Sequence, residues 1–352
     1  MITLAIAGLR HPHIETIIDE ARLRPEVKLV AIAEPDPEIR ARYQASLGVP
    51  AFSDHRELLV TAPVDVLGVG AVYRERGAIV ADALRAGVHV LADKPLCTTL
   101  ADLDAISAAW RASGRLLSIA FEKRFYPPTL AARRLVDAGE LGDLVMISAS
   151  APHKLTRRNR PDWFFDRDSY GGIVNDLAVH DVDLLLLFSG ASSGVLWGLA
   201  GNRANADLPG FEDHGLVTLR SGDGLLATLE VSWLSPEAAS YHGDYRMRLV
   251  GTKGTAEMVW KDDELVVATH DRPPWLELMP PRLRPAEDFF DALRDGRPPA
   301  VTGRDALAAT RIALLAQRSA EAQHRTPARR GAREDCSSLT SGSTAWDVSD
   351  GQ

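Results

Sequence analysis

The sequence predicts an α/β protein in two parts: a doubly wound parallel sheet, then an α+β domain with a large, mostly antiparallel open sheet. Three observations predict it. Over about the first 120 residues, short β-branched runs alternate with longer amphipathic ones, the pattern of parallel strands joined by helical crossovers. After Phe121, helical segments become fewer and strands follow one another across turn residues. A chain of 352 residues with 45% hydrophobic content is long enough for two separate cores.

Taken in order, strands are predicted at 3–7, 29–33, 64–69, 88–92 and 116–120. Helices fall between them at 13–22, 37–46, 55–60, 76–86 and 100–112. Gly87 and Gly114 stand where a glycine ends a helix. Beyond them, helices are predicted at 127–138 and 173–188, and strands at 144–151, 195–201, 215–220, 225–233, 246–250, 255–260 and 264–268. Helices at 285–294 and 303–323 close the folded part. From Thr326 on, basic and then Ser/Thr/Gly-rich sequence offers little to bury, so a disordered tail is expected. The expected divisions are therefore 1–121, 122–325 and a tail at 326–352.

Charge and cysteine content narrow the function. Forty Lys and Arg against 48 Asp and Glu leave a net charge of −8, with no basic excess to track nucleic acid or an anionic membrane. The 2 cysteines, Cys97 and Cys336, can make neither a disulfide framework nor a cysteine-rich zinc site. No apolar run reaches the roughly 18 residues of a membrane span, and the N-terminus lacks a basic leader. A cytoplasmic protein with a small-molecule ligand is expected.

The turn after the first strand reads Gly8-Leu9-Arg10-His11-Pro12-His13. A dinucleotide-binding turn uses three glycines, and here only Gly8 is in place, with Arg10 and His13 at the other two positions. An arginine there can face a diphosphate; a plain strand-to-helix turn gives the same residues. Glu34 follows the second strand, where an acidic side chain bonds the ribose of NAD and repels the extra phosphate of NADP. A solvated strand-end acid is the other reading.

Asp93-Lys94-Pro95 follows the fourth of these strands, so Lys94 emerges at the carboxyl end of the sheet, where α/β proteins bind ligands. Pro95 restricts Lys94 to extended backbone and permits a cis bond. Farther on, Gly171-Gly172 precedes Asp176, His180 and Asp183. At about 100° per residue these three share one helical face. A carboxylate beside an imidazole suits a histidine that takes a hydroxyl proton near neutral pH. The same spacing suits a metal or a buried structural bond; no second histidine pair supports a metal, and none is expected. Leu184–Phe188 reads as core. The segment His153 to Phe165, with Arg160 and Trp163, is dense in donors and aromatics and suits a polyhydroxylated or acidic ligand, or else a surface contact.

Together these residues resemble the glucose-fructose oxidoreductase, inositol dehydrogenase and MocA family of nicotinamide-dependent oxidoreductases. Asp93-Lys94-Pro95 is similar to its Glu-Lys-Pro motif. Gly171-Gly172 with Asp176, His180 and Asp183 is similar to its second-domain helix, and Phe121 to Pro127 with Ala138-Gly139-Glu140-Leu141-Gly142 to its Arg-containing link. The likeness covers about residues 1–320. Arg76 stands where many relatives carry histidine.

The resemblance implies a Rossmann domain joined to a substrate and oligomer domain, forming a homodimer or homotetramer. It implies NAD as cofactor, NADP being less favoured, held by Gly8, Arg10, His11, Glu34, Asp93, Lys94 and Pro95. Lys94 would bond the reacting hydroxyl, His180 exchange its proton and Asp176 orient either. Arg124, His153, Arg160, Trp163 and Asp183 would face the substrate, a sugar, cyclitol or related polyol. Two other functions fit this scaffold: an NAD-assisted lyase or glycosidase, and a non-catalytic sugar-binding regulator.

Overall fold

The computed structural model describes residues 1–324 and 343–349. These form two compact units. The first comprises Met1–Glu122, Asp168–Gly171 and Leu283–Thr310, and the second the remaining described chain.

In the first unit, strands and helices alternate: β1 (Ile2–Leu9), α1 (Ile14–Leu23), β2 (Val27–Ala33), α2 (Pro37–Leu47), β3 (Ala51–Phe52), α3 (His55–Thr61), β4 (Val66–Gly70), α4 (Tyr73–Arg85), β5 (His89–Ala92), α5 (Leu100–Ser113) and β6 (Leu117–Ile119). All five predicted strands are present, and β3 is additional. The strands are parallel in the order β3-β2-β1-β4-β5-β6. The order reverses between β1 and β4, which opens a crevice at their carboxyl ends. β1 is apolar throughout its middle because both faces are covered: Leu4, Ala5, Ile6 and Ala7 are 0% exposed. Local signals set the helix ends. Asp36 accepts from the backbone N–H groups of Glu38 and Ile39 ahead of Pro37, and Gly48 ends α2 at φ +67°.

The second unit contains α6 (Pro127–Asp137), β7 (Leu144–Pro152) and, following the short α7 (Arg167–Tyr170) in the chain, a π-helical turn (Val174–Ala178), α8 (Val179–Ser189) and β8 (Ser193–Gly201). Its sheet continues with β9 (His214–Ser221), β10 (Leu226–Ser232), β11 (Arg246–Gly251), β12 (Gly254–Val259), β13 (Glu264–Thr269) and β14 (Arg272–Leu276). Last comes β15 (Thr344–Asp347), and the order is β14-β13-β12-β11-β7-β10-β9-β8-β15. Every pairing is antiparallel except β7 with β10. One face alternates inward, as in Ala227, Leu229 and Val231 of β10; the other carries exposed Trp197, Leu199 and Leu226.

Three departures from the sequence reading have physical causes. The segment 285–294, assigned to the second domain, is helix α9 (Pro285–Asp295) of the first unit. Its Ala286, Phe289 and Phe290 pack into the cluster formed by Ile6, Ile14, Ile17 and Ile18. β14 escaped notice because it contains Pro273 and Pro274, which an edge strand tolerates. The tail is corrected at β15, which pairs with β8 through Thr344–Asp347 and buries Trp346 to 4% exposure. The rest of the tail, 326–342 and 350–352, lies outside the described residues.

Candidate active site

The turn leaving β1 is built on Gly8. Its φ is +78°, and a Cβ there would come within 2.3 Å of the Ala71 backbone. Gly8→Ala is therefore expected to cost about 1–3 kcal/mol, read as a lower urea midpoint at unchanged m-value. The backbone N–H groups of Arg10 and His11 both donate to the Gly70 carbonyl, at 3.2 and 3.1 Å, tying the turn to β4. Beside it lies a cavity of about 340 Å³ lined by Ala7, Gly8, Ala33, Pro35, Ser53 and His55 among others.

Glu34 occupies a different place from the ribose-facing one expected of it. It is fully buried between two lining residues, with Oε2 accepting from Leu9 N at 2.7 Å and Oε1 from Asp36 N at 3.0 Å. Its carboxylate thus clamps the turn after β1 to the start of α2. Arg10 Nη1 lies 3.4 Å from Asp36 Oδ2 and 3.9 Å from Glu34 Oε1, with the side chain 28% exposed.

The segment after β5 is held by charge. Arg76, 0% exposed, donates Nε to the Ala71 carbonyl at 2.8 Å, Nη2 to Asp93 Oδ2 at 2.8 Å and Nη1 to the Pro95 carbonyl at 3.1 Å. Nη1 also bonds the Lys94 carbonyl. Asp93 Oδ1 in turn accepts from Lys94 N at 2.8 Å, and the Lys94–Pro95 bond is cis. Both carbonyls flanking that bond are thus held by one guanidinium. The sequence shows an arginine at 76 but not its burial. Lys94 itself is 4% exposed.

His11 and His13 complete this network. His11 Nδ1 lies 2.6 Å from Asp93 Oδ2, and the Tyr73 hydroxyl bonds His11 Nε2 at 3.2 Å. His13 Nδ1 lies 3.2 Å from Asp93 Oδ1. Among the described residues these two histidines and Asp93 are the grouping whose donor atoms could ligate a metal, within 4.8 Å of one another. Arg76 already supplies the positive charge on that carboxylate.

Burial alone would raise the Asp93 carboxyl, but Arg76, His11 and His13 outweigh it and hold it well below the usual range. Burial opposes protonation of His13 as well, yet Asp93 prevails and raises it. For His11 burial wins, lowering its pKa to about 4.

These directions fix a pH dependence. Between 6.5 and about 4 the unfolded chain carries a proton on His11 and the folded chain does not, so stability falls as pH falls through that window. The loss expected from this residue is about 3 kcal/mol. His13 behaves oppositely: its contribution is present below 6.5 and lost as pH rises through its raised folded value. Urea unfolding at several pH values is expected to show a slope for the wild type that is shallower by nearly one proton in His11→Asn. Equal slopes would contradict the buried neutral imidazole.

Gly171, which ends a segment of the first unit, and Gly172, which opens one of the second, take φ of +82° and +99°, conformations other residues resist. The first amides of the following helical segment are capped by side chains: Ile173 N donates to Glu212 Oε2 and Val174 N to Gln317 Oε1, each at 3.0 Å. Gln317 Nε2 closes the arrangement on Glu212 at 3.1 Å. Neither capping residue was legible in the sequence, since both lie far from residue 173.

Asp176, 0% exposed, sits in the π-helical turn, a feature that often marks functional positions, and His180, 6% exposed, lies on the first turn of α8. Asp183 follows His180 by three residues on α8, a spacing that shares one helix face. Its carboxylate is gripped by Arg124, Nε to Oδ2 at 2.6 Å and Nη2 to Oδ1 at 2.7 Å, with both side chains buried. Lys123 and Asp181 form a second buried pair at 2.6 Å. Burial raises the Asp181 carboxyl, against the pull of Lys123. These two buried pairs anchor α8, and Arg124 and Asp183, expected to face the substrate, hold each other.

His153 and Arg160 meet around Trp233. The His153 ring lies 5.4 Å from Trp233 and 4.6 Å from Tyr245, while Arg160 stacks 4.8 Å from Trp233 and 4.6 Å from Phe164. Trp163 packs edge-on against Phe164 at 5.8 Å.

Comparison with known proteins agrees with this architecture. Residues 2–121 match the model of the oxidoreductase family with an NAD-binding Rossmann fold, and residues 129–257 match the GFO/IDH/MocA C-terminal domain. The scyllo-inositol 2-dehydrogenase (NAD(+)) of Bacillus subtilis is 24% identical over 331 residues, covering 90% of this chain and 92% of that protein. The myo-inositol 2-dehydrogenase of Thermotoga maritima is 26% identical over 337 residues, covering 91% and 95%. The solved aldose-aldose oxidoreductase of Caulobacter crescentus superposes with a TM-score of 0.77 at 22% identity, covering 92% of this chain and 98% of that one. No described helix is long and apolar enough to cross a membrane. With matching family models on both units, a doubly wound sheet carrying Asp93-Lys94-Pro95 and a second sheet under the Asp176 to His180 segment, the chain belongs to the GFO/IDH/MocA family of NAD-binding oxidoreductases.

Proposed function

We propose that the protein is an NAD-linked dehydrogenase of a secondary alcohol on a sugar, cyclitol or related small polyol, working also in reverse on the ketone. The observation that carries this reading is the way Lys94 is presented. The carboxyl end of β5 delivers it beside the dinucleotide turn, and Arg76 and Asp93 hold the backbone on either side of it. The glycine turn and the cavity lined by Ala7, Gly8, Pro35 and Ser53 fit a dinucleotide, with Arg10 and His11 on the turn beside it. The names of the inositol dehydrogenase relatives support the substrate class.

When bound, NAD supplies the hydride acceptor. The chain's own residues manage the other half of the chemistry. The Lys94 ammonium donates to the reacting hydroxyl oxygen and favours the alkoxide as it forms. The His180 imidazole takes the hydroxyl proton, and Asp176, one turn earlier, steadies the imidazolium and orients the ring. Loss of a proton and of a hydride from one carbinol leaves a ketone, so the balance is one NADH and one proton per ketone.

The test is a panel of polyols with NAD and NADP in parallel, following reduced cofactor and ketone together. Equal amounts of NADH and ketone are expected, with NAD preferred. Product without net NADH would favour the lyase or glycosidase, and failure to bind NAD at millimolar concentration would favour the regulator.

A further inference from the structure

We infer that the substrate carries a carboxylate, and that Arg160 receives it. This rests on the dehydrogenase reading and names the substrate class within it.

Arg160 lies in the connection after β7 and is only partly exposed. Its guanidinium occupies the corner between two buried rings, 4.6 Å from Phe164 and 4.8 Å from Trp233, which are themselves 5.5 Å apart at 74°. Nε donates to the Leu155 carbonyl at 3.0 Å, which fixes the plane of the group. Phe164 is 1% and Trp233 5% exposed, so the cation rests on a dry aromatic floor.

No carboxylate among the described residues pairs with it. The contrast lies within the same connection, where the more exposed Arg157 pairs with Asp207 at 2.7 Å. Exposed ion pairs contribute little, whereas a half-buried guanidinium on aromatic rings gains much from an anion. With Nε engaged, the two terminal nitrogens form a pre-aimed fork, the geometry that takes a carboxylate in two parallel bonds.

The fork lies at the end of the sheet where the catalytic segment begins. His153 N donates to the Ser232 carbonyl at 2.7 Å, and Trp233 N to the Asp213 carbonyl at 2.9 Å. Asp213 follows Glu212, which caps Ile173, and a Cβ on Gly215 would meet the Ile173 and Val174 side chains at 3.2 Å. Trp233 therefore connects Arg160 on one side to His153 on the other, a ring-lined surface with one fixed positive charge. That combination fits a polyhydroxylated carboxylate, such as a sugar acid, better than a neutral polyol.

Matched ligands decide it: D-gluconate against D-glucitol, D-galacturonate against D-galactose, and quinate against myo-inositol. Each is titrated calorimetrically into the wild type and Arg160→Met, both saturated with NADH, and each is also offered as substrate or, where reducible, as product. At least one acid is expected to bind the wild type more than about 10-fold tighter than its neutral partner, and Arg160→Met should weaken that acid by about 10- to 100-fold while leaving the neutral ligand unchanged. Arg160→Lys keeps the charge without the fork and is expected to fall between, which covers the case of a poorly folded methionine variant. Preference for the neutral partner, an equal loss for both, or no acid bound at all overturns the proposal. Turnover of neutral polyols in those cases leaves the dehydrogenase standing, whereas failure of NADH itself to bind removes the reading beneath it.

Discussion

His180→Ala and Lys94→Ala are each expected to lower kcat on the true substrate by about 10²- to 10⁴-fold, the range that a positioned proton acceptor or charge donor supplies. His180→Ala is also expected to regain part of the lost rate with added imidazole, because no other group of the chain then takes the hydroxyl proton. Lys94→Ala should raise KM as well, since an ammonium that bonds the hydroxyl contributes before and during reaction. The fold is expected to survive both changes. Arg76 and Asp93 hold the Lys94 backbone rather than its side chain, and α8 is anchored independently by Arg124 with Asp183 and Lys123 with Asp181. Circular dichroism and the urea midpoint check this. Near-normal turnover in either variant would remove that residue from the mechanism.

Arg76→Met is expected to produce the largest loss of stability, about 3–5 kcal/mol by urea unfolding. The substitution keeps the bulk of the side chain but leaves the Asp93 carboxylate buried without its guanidinium and unbonds the Ala71, Lys94 and Pro95 carbonyls. Removing one partner of a buried pair costs far more than the pair contributes over an apolar replacement, because the remaining charge stays desolvated. Arg76→Lys restores the charge but cannot reach four acceptors at once, so it should recover only part of the loss. A cost below about 1 kcal/mol for Arg76→Met would show that Asp93 is satisfied by His11 and His13 alone.

Much of this architecture was legible in the sequence, and the limits are physical. Alternating apolar runs located all five main strands of the first sheet, because a strand covered on both faces must be continuously apolar. β3, two residues long, has no periodicity to detect. α4 begins at Tyr73, three residues before its predicted start, since Arg74 and Glu75 read as polar loop until Arg76 is seen to be buried. The Asp176 to His180 spacing was visible, but the π-helical turn that carries Asp176 leaves no local signature, and the angular argument that joined Asp183 to them could not see Arg124.

The same holds for charge. Glu34 was recognised as a strand-end acid, yet whether its carboxylate faces a ligand or the backbone depends on Leu9 and Asp36 folding over it. Buried networks join residues distant in sequence, as Glu212 and Gln317 do at the head of the helical segment that begins at Ile173, and pattern reading is blind to such partners. The arginine fork at residue 160 was visible as one donor among many. Only the Phe164 and Trp233 rings single it out from its neighbours.

The most direct test of the account is a double-mutant cycle on kcat/KM with Lys94→Ala, His180→Ala and the double variant. If both groups serve one hydroxyl, the double variant should be only slightly slower than the worse single variant, because removing either already disables the shared step. Losses that multiply in full would mean the two residues act on separate events, and the single-alcohol mechanism would fall.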